Sequence, residues 1–423
     1  MKKHQSNQEG EHWRSADKYR PKPKEPRCSD DSVSGEDPLP PMSFTAMRII
    51  ERVITAADAA NPADRLLREE LRIPKSISAR ESAGISRTVF AYYRWFGWLD
   101  AGDSMRTALE KTQALDNRFR QSPDSFSDAE LVERSVPEWI STELRVTRDW
   151  ARTLQSKPPV WLRAKSGRAE EVVMALGDCE SVGDGPMVNT MEYSGATDLF
   201  RTPAFHAGIF EIQDISSQFV GLVCAPTPGD TWWDACAGEG GKLLHLSDLM
   251  QNKGLIWASD RVAWRLQKLK RRAARAGVFN YRAVAWDGGT KRPTKTKFDG
   301  VLVDGPCSGV GTWQRNPHAR WTLRNEDVLE LASLQASILA HAAPAVKPGG
   351  KLIYSVCTLT RSETTEVADQ FTKANPQFKP LPIKNPVTGE EFSGGQCVFD
   401  PATHRGNGMF VAAWKLDLPP SMV

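Results

Sequence analysis

The chain has 423 residues, 40% apolar and 25% charged, the balance of a soluble globular protein with two or three domains and a sizeable core. Its 55 Lys and Arg face 52 Asp and Glu, so a net charge of +3 does not by itself require a nucleic-acid partner; local charge must carry that argument. None of the seven cysteines sits in a C-x-x-C pair or a Cys/His cluster of zinc spacing, which argues against a metal site and a disulfide framework and fits reduced thiols.

Residues 1–43 are rich in Lys, Glu, Ser and Pro and almost free of aliphatic side chains, so a disordered tail is expected there. The opening MKKHQSNQEGEHWRS has no apolar stretch of signal-peptide type, and no apolar run in the chain is long enough to span a bilayer. The expected setting is the cytoplasm, with no membrane partner. Residues 44–135 turn helical. FTAMRIIERVITAA carries Met47, Ile50, Val53 and Ile54 at helical spacing, and SAGISRTVFAYYRWFGWLDAG carries Ile85, Val89, Tyr92 and Trp95 or Phe96. Arg80, Arg87 and Arg94 recur every seven residues, as either the wet face of a helix or a stripe for RNA. Residues 136–205 read as a small α+β connector: SVPEWISTELRV starts a helix, PPVWLRA is a strand, and GRAEEVVMALGDC is a second helix.

Residues 206–418 alternate apolar runs with helical segments. The runs are 230–235, 254–260, 281–287, 298–305, 350–357 and 408–416. That pattern predicts a parallel sheet buried on both faces, a doubly wound α/β fold of Rossmann-like type. Ligands of such sheets sit beyond the carboxyl ends of the strands. Four runs reach an acid there: Asp234, Asp260, Asp287 and Asp304. DACAGEGGK follows the first. Its glycines allow a tight turn, and it matches neither the dinucleotide fingerprint nor the Walker loop. Each Asp alone reads equally well as a turn or helix-cap residue. In series they suit a ligand with ribose and adenine but no pyrophosphate: Asp260 for the ribose hydroxyls, Asp287 for the adenine amine. S-adenosylmethionine fits that description. The expected cofactor-binding set is Ala235, Cys236, Ala237, Gly238, Glu239, Gly240, Gly241, Lys242, Asp260, Arg265, Asp287 and Asp304. Two of the runs end in thiols, VDGPCSGVG at Cys307 and YSVCT at Cys357, open to readings as packing, redox or metal chemistry, or nucleophilic catalysis.

DACAGEGGK, VDGPCSGVGTWQRNP and YSVCTL together resemble the Sun/RsmB family of RNA cytosine-C5 methyltransferases. GIFEIQDISSQ, RNPHARW, LASLQASILAHAAPAVKPGGKLIYSVCTL and GNGMFVAAWK follow the family's order, and the helical region resembles the RNA-binding, NusB-like front domain of the RsmB branch. The chain departs at Glu239, where the family usually has Pro, at Gly305, where it has Ala, and at Val356 and Thr358 around the second thiol, where it has Thr and Ser. The resemblance implies a class I methyltransferase sheet binding S-adenosylmethionine, no metal, and a monomer. It implies RNA as partner, small-subunit ribosomal RNA first and transfer RNA as the alternative. The C5 of cytosine is too poor a nucleophile to take a methyl group unaided, and a thiolate added at C6 makes it enamine-like. By the resemblance Cys357 is that nucleophile, and Asp304 holds or protonates N3. Cys307 assists loss of the C5 proton and release, and Lys242 orients the cofactor or Asp304. A catalytically silent RNA-binding scaffold is the competing expectation.

For RNA contact the sequence offers RVAWRLQKLKRRAARAG, with Arg261, Arg265, Lys268, Arg272 and Arg275 on one side and Val262, Leu266, Leu269, Ala273 and Ala276 on the other. It also offers Arg315, His318 and Arg320, for phosphates or the site, and Trp313 and Trp321 as stacking platforms. Trp232, Trp257 and Trp286 are expected in the core.

Overall fold

A computed structural model of the chain describes residues 42–72, 77–183 and 185–418; the tail expected over 1–43 lies outside them save for its last two residues. The helical front begins with Phe44–Ala56, Ala63–Glu70, Ala79–Arg94, Met105–Gln121, Asp128–Arg134 and Arg148–Gln155. Five of the six start alike. Ser43, Ser78, Ser104, Ser127 and Thr147 each accept a hydrogen bond from the amide three residues on, filling an otherwise orphaned donor. Each such cap contributes about 1 kcal/mol. Ile50, Val53, Ile85, Val89 and Tyr93 join one core, as the helical spacing requires. SVPEWISTELRV does not start an α-helix. It forms a short 3-10 turn at Glu138–Thr142, after Pro137, and the helix begins only where Thr147 supplies a cap.

The connector strands are β1 (Val160–Ala164), β2 (Cys179–Ser181), β3 (Thr190–Tyr193) and β4 (Phe210–Ile212), in the antiparallel order β2-β3-β1-β4. The helix Ala169–Leu176 packs with them. The sheet takes its fourth strand from beyond residue 205, just before the helix Ile215–Cys224.

The large sheet follows. Its parallel strands are β5 (Thr231–Asp234), β6 (Leu255–Asp260), β7 (Tyr281–Ala285), β8 (Phe298–Asp304) and β9 (Val346–Val356). Next come β10 (Phe378–Pro380), the two-stranded pair β11 (Ile383–Lys384) and β12 (Glu391–Phe392), then β13 (Gln396–Phe399) and β14 (Met409–Leu416). The order is β10-β14-β9-β8-β5-β6-β7, with β14 antiparallel to β9 and β13 paired to β14. This is the doubly wound sheet expected from the alternating runs, in the class I arrangement that the resemblance implies. Strand period two feeds two cores. Trp232, Leu302 and Ile353 face one layer with the helices Gly241–Leu249 and Ala263–Arg275; Trp233, Val301, Val303 and Leu352 face the other with Asn325–Ala342 and Thr365–Ala374. Strand order reverses between β5 and β8, so Asp234 and Asp304 end the two strands that flank the switch point.

Candidate active site

The β5 strand ends in Asp234, and the chain turns through residues 235–240 into the helix at Gly241. Gly238 (φ 54°) and Gly240 (φ 88°) take the left-handed backbone that the turn requires. Asp260, at the end of β6, fixes this loop: Oδ2 accepts from the Gly238 amide at 3.0 Å and Oδ1 from the Val262 amide at 2.7 Å. The result is a cavity of about 450 Å³. Ala235, Cys236, Ala237, Gly238, Glu239, Gly241, Lys242, Asp260, Arg265, Asp287 and Asp304 all line it, as do Cys307 and Cys357. Gly240 alone of the expected set does not; a Cβ there would lie 2.8 Å from Leu269 Cγ. Asp287 is not a strand end, because β7 stops at Ala285; its Oδ1 accepts from the Gly289 amide at 2.8 Å, closing a turn at the cavity wall. Trp286 lies just past the strand yet is core as expected, packed on Trp233; it also lines the cavity, and its indole donates to the Gly289 carbonyl at 3.1 Å. Arg261, Arg272, Gly288, Gly305 and Pro306 also line it, as do Ser217, Leu334 and Ile338, to which the sequence reading assigned no role. Glu239, the departure from the family pattern, accepts from Lys268 Nζ at 2.9 Å.

The donor set suits a cationic, adenosyl-bearing ligand. Both carboxylate oxygens of Asp234 are buried without a hydrogen bond of normal geometry. Burial first, and the nearby Asp304 charge second, push its carboxyl up to about 8. A positive group in the cavity would relieve that penalty.

At the other end of the cavity the two thiols meet. Cys307 follows β8 and Cys357 follows β9, neighbouring strands in the sheet, and their sulfurs are 3.3 Å apart. Lys242 Nζ donates to Asp304 Oδ2 at 2.7 Å, and Ser355 Oγ donates to Asp304 Oδ1 at 2.8 Å. The Cys307 hydrogen bond holds the Cys357 thiol below its ordinary value, assisted by the Lys242 ammonium, against burial and the Asp304 charge. The same bond, with burial, drives Cys307 well above the ordinary thiol value. Lys242 itself titrates above the usual lysine value: burial disfavours its charge, but Asp304 outweighs burial.

Several expected RNA contacts have other partners. Trp313 is fully buried and stacks on Trp150, with Trp139 edge-on, so it is core rather than a platform. Arg320 is also fully buried: its guanidinium donates to the carbonyls of Ser135, Leu154 and Trp313. Burial lowers it to about 9. His318 packs against the Tyr93 ring, Trp321 donates to the Tyr93 carbonyl, and Arg315 donates to Pro159 and Asp214. Arg94 lies within the helical front beside Asp116. On the helix Ala263–Arg275, Leu266, Leu269 and Ala273 are buried as the pattern requires, while Arg272 and Arg275 clasp Glu211 of β4. Trp232 is core, and Trp257 is half-buried under Arg282. No helix among the described residues is long and apolar enough to cross a membrane.

The family profile of "16S rRNA methyltransferase RsmB/F" matches residues 221–415. The chain is 36% identical over 305 residues to the probable ribosomal RNA small subunit methyltransferase B of Synechocystis, covering 66% of this chain and 67% of that protein. It is 29% identical over 314 residues to the ribosomal RNA small subunit methyltransferase B of Shewanella oneidensis, covering 70% and 71%. Its fold superimposes on the crystal structure of PH0851 with a TM-score of 0.72 and 24% identity, over 88% of this chain and 98% of that one. With the sheet order, the cofactor loop and the profile in agreement, the chain belongs to the RsmB/F family of ribosomal RNA methyltransferases, which use S-adenosylmethionine.

Proposed function

We propose that this protein makes 5-methylcytosine in 16S ribosomal RNA through a transient bond between Cys357 and C6 of the target cytosine. One observation carries the reading: the paired sulfurs of Cys307 and Cys357, 3.3 Å apart, open into the same cavity as the glycine loop and the Lys242–Asp304 pair. The bound cofactor supplies the methyl group. The chain's residues do the rest. The base leaves its stack to reach the cavity, and the Cys357 thiolate adds to C6. Asp304, held by the Lys242 ammonium at 2.7 Å, meets N3 and relays a proton to it from water as charge builds there, taking it back when the C6–S bond breaks. C5, now enamine-like, takes the methyl group. Cys307 then accepts the C5 proton while passing its own to the departing sulfur, and the C6–S bond breaks with its electrons returning to Cys357. Retention of both thiols, the acid and the lysine in one cavity speaks against a silent scaffold.

The test is a pair of variants assayed with S-adenosylmethionine and 16S or transfer RNA. Cys357→Ala is expected to abolish methyl transfer. Cys307→Ala is expected to accumulate a denaturant-resistant protein–RNA adduct. An adduct in Cys357→Ala would reverse the two roles, and methyl transfer confined to transfer RNA would refute the substrate.

A further inference from the structure

A carboxylate stands behind the two cysteine loops that the roles above leave unused. Glu363, in the segment after Cys357, is 0% exposed. Its Oε1 accepts from the Ser308 amide and from Gln335 Nε2, both at 2.8 Å. Its Oε2 accepts from Thr360 Oγ1 at 2.8 Å and from the Ser308 hydroxyl. The two amide N–H groups at Oε1 can only donate, and the two hydroxyls at Oε2 can donate as well, a surrounding suited to an ionised carboxylate. The cluster grips Cys307 from both sides. Ser308 follows it directly, and Gln335 also donates to the Pro306 carbonyl at 2.8 Å. Tyr354 braces the cluster from β9, its hydroxyl 2.8 Å from Gln335 Oε1 and 2.6 Å from the Glu363 carbonyl.

Charge is therefore unequal about the sulfurs. Glu363 lies on the Cys307 side. Lys242 and Asp304, paired with each other, lie on the Cys357 side. We propose that Glu363 is a positioning residue: it seats Cys307 against Cys357 and, by its charge, keeps the pair's proton on Cys307, so that Cys357 is the sulfur left to attack. This rests on the covalent reading above and deepens it by saying what selects the nucleophile. The other titrating groups that face the pair are Tyr354, which adds nothing while neutral, and Asp304, whose charge opposes a Cys357 thiolate and is offset by Lys242. The rise of Cys307, caused first by its bond to Cys357 and by burial, has the Glu363 charge as a further contributor, in line with this assignment.

The test needs neither RNA nor cofactor, so its outcome is separate from that of the methyl-transfer assay. The full chain is treated briefly with iodoacetamide near neutral pH, and alkylation at each cysteine is measured by mass spectrometry. In the unaltered protein Cys357 is expected to react well before Cys307. Glu363→Gln, nearly isosteric but uncharged, is expected to lower the Cys357-to-Cys307 ratio about tenfold or more, one unit of relative thiol pKa. Glu363→Asp keeps the charge and is expected to lower it less. An unchanged ratio in Glu363→Gln overturns the proposal, and equal falls in the two variants overturn its electrostatic part. A purely structural role predicts faster labelling of both thiols at a constant ratio. If Glu363→Gln fails to fold, Ser308→Ala, which removes one hydrogen bond to Glu363 beside Cys307 and leaves the charge, tests the seating: a lower ratio supports the proposal and an unchanged one overturns that part of it.

Discussion

At residue scale two ionisable groups of the cavity, Cys357 and Asp234, are displaced in opposite senses, and each displacement has a direction that can be measured. Cys357 is held below the ordinary thiol value by Cys307 and Lys242, so methyl transfer should persist below the pH at which a free thiol ionises. Lys242→Met removes the cation and should move the acid limb of the rate profile to higher pH, by about one unit. An unmoved limb would mean that Lys242 serves only to hold Asp304. Asp234 is displaced upward, to about 8. Between about pH 4 and 8 the folded chain keeps a proton there that the unfolded chain has lost, so the stability it contributes falls as pH rises through that window. Asp234→Asn abolishes this slope. Its unfolding free energy relative to the unaltered protein should grow from pH 5 to pH 8, by on the order of a few kcal/mol. A difference independent of pH, measured by urea unfolding at the two values, would show that Asp234 is ionised in the fold.

Among the elements, the loop from β5 into the helix Gly241–Leu249 is the most constrained by shape. Gly240 has φ 88°, and a Cβ there would sit 2.8 Å from Leu269 Cγ. Gly240→Ala should cost about 1–2 kcal/mol from the left-handed backbone alone, before the clash is counted, and weaken cofactor binding through the displaced loop. Thermal unfolding and cofactor titration read the two effects separately. What the sequence disclosed at this scale follows from the same local physics. Each of the six apolar runs became a strand because period-two burial between two helical layers needs continuous apolar side chains. The boundaries were less visible. The β9 strand begins at Val346, ahead of the run at 350, because Pro348, Gly349 and Gly350 read as a turn while the sheet absorbs them at an irregularity opposite Phe298 and Gly300. Asp287 read as a strand end because Ala285, Trp286 and Asp287 look continuous with β7. Trp313 looked like a platform beside basic residues; its partners Trp139 and Trp150 lie far back in the chain. Glu363 was invisible for the same reason, since three of its four hydrogen bonds come from Ser308 and Gln335, distant in the chain.

Across the whole molecule, hydrogen bonds tie residues N-terminal to the connector sheet to the segments that follow the two thiols. Arg320 gives its buried guanidinium to the carbonyls of Ser135 and Leu154, and Arg320→Ala would leave those acceptors dry, a loss of about 3 kcal/mol or more. Lysine is no substitute there, because its one nitrogen cannot stand in both places the guanidinium's two do, Nη1 at Ser135 and Nη2 at Leu154 and Trp313. Glu143 does for the second thiol's segment what Arg320 does for the first. Its Oε2 accepts from the Ser362 amide at 3.0 Å, its Oε1 from the Ser362 hydroxyl at 2.9 Å, and its carbonyl from the Arg361 amide at 3.2 Å. Ser362 directly precedes Glu363, so a contact 219 residues away in sequence bears on the cluster that seats Cys307. Glu143 touches neither cavity nor thiols, and the cofactor loop hangs from different strands. Glu143→Ala should therefore lower kcat for methyl transfer by about tenfold, the size of effect expected from a small misplacement of reacting groups, while leaving affinity for S-adenosylmethionine as it was. Cofactor titration beside single-turnover transfer to 16S RNA separates the two quantities. If affinity and rate fell together, Glu143 would be supporting the fold at large. If neither moved, the segment after Cys357 would be holding its own shape.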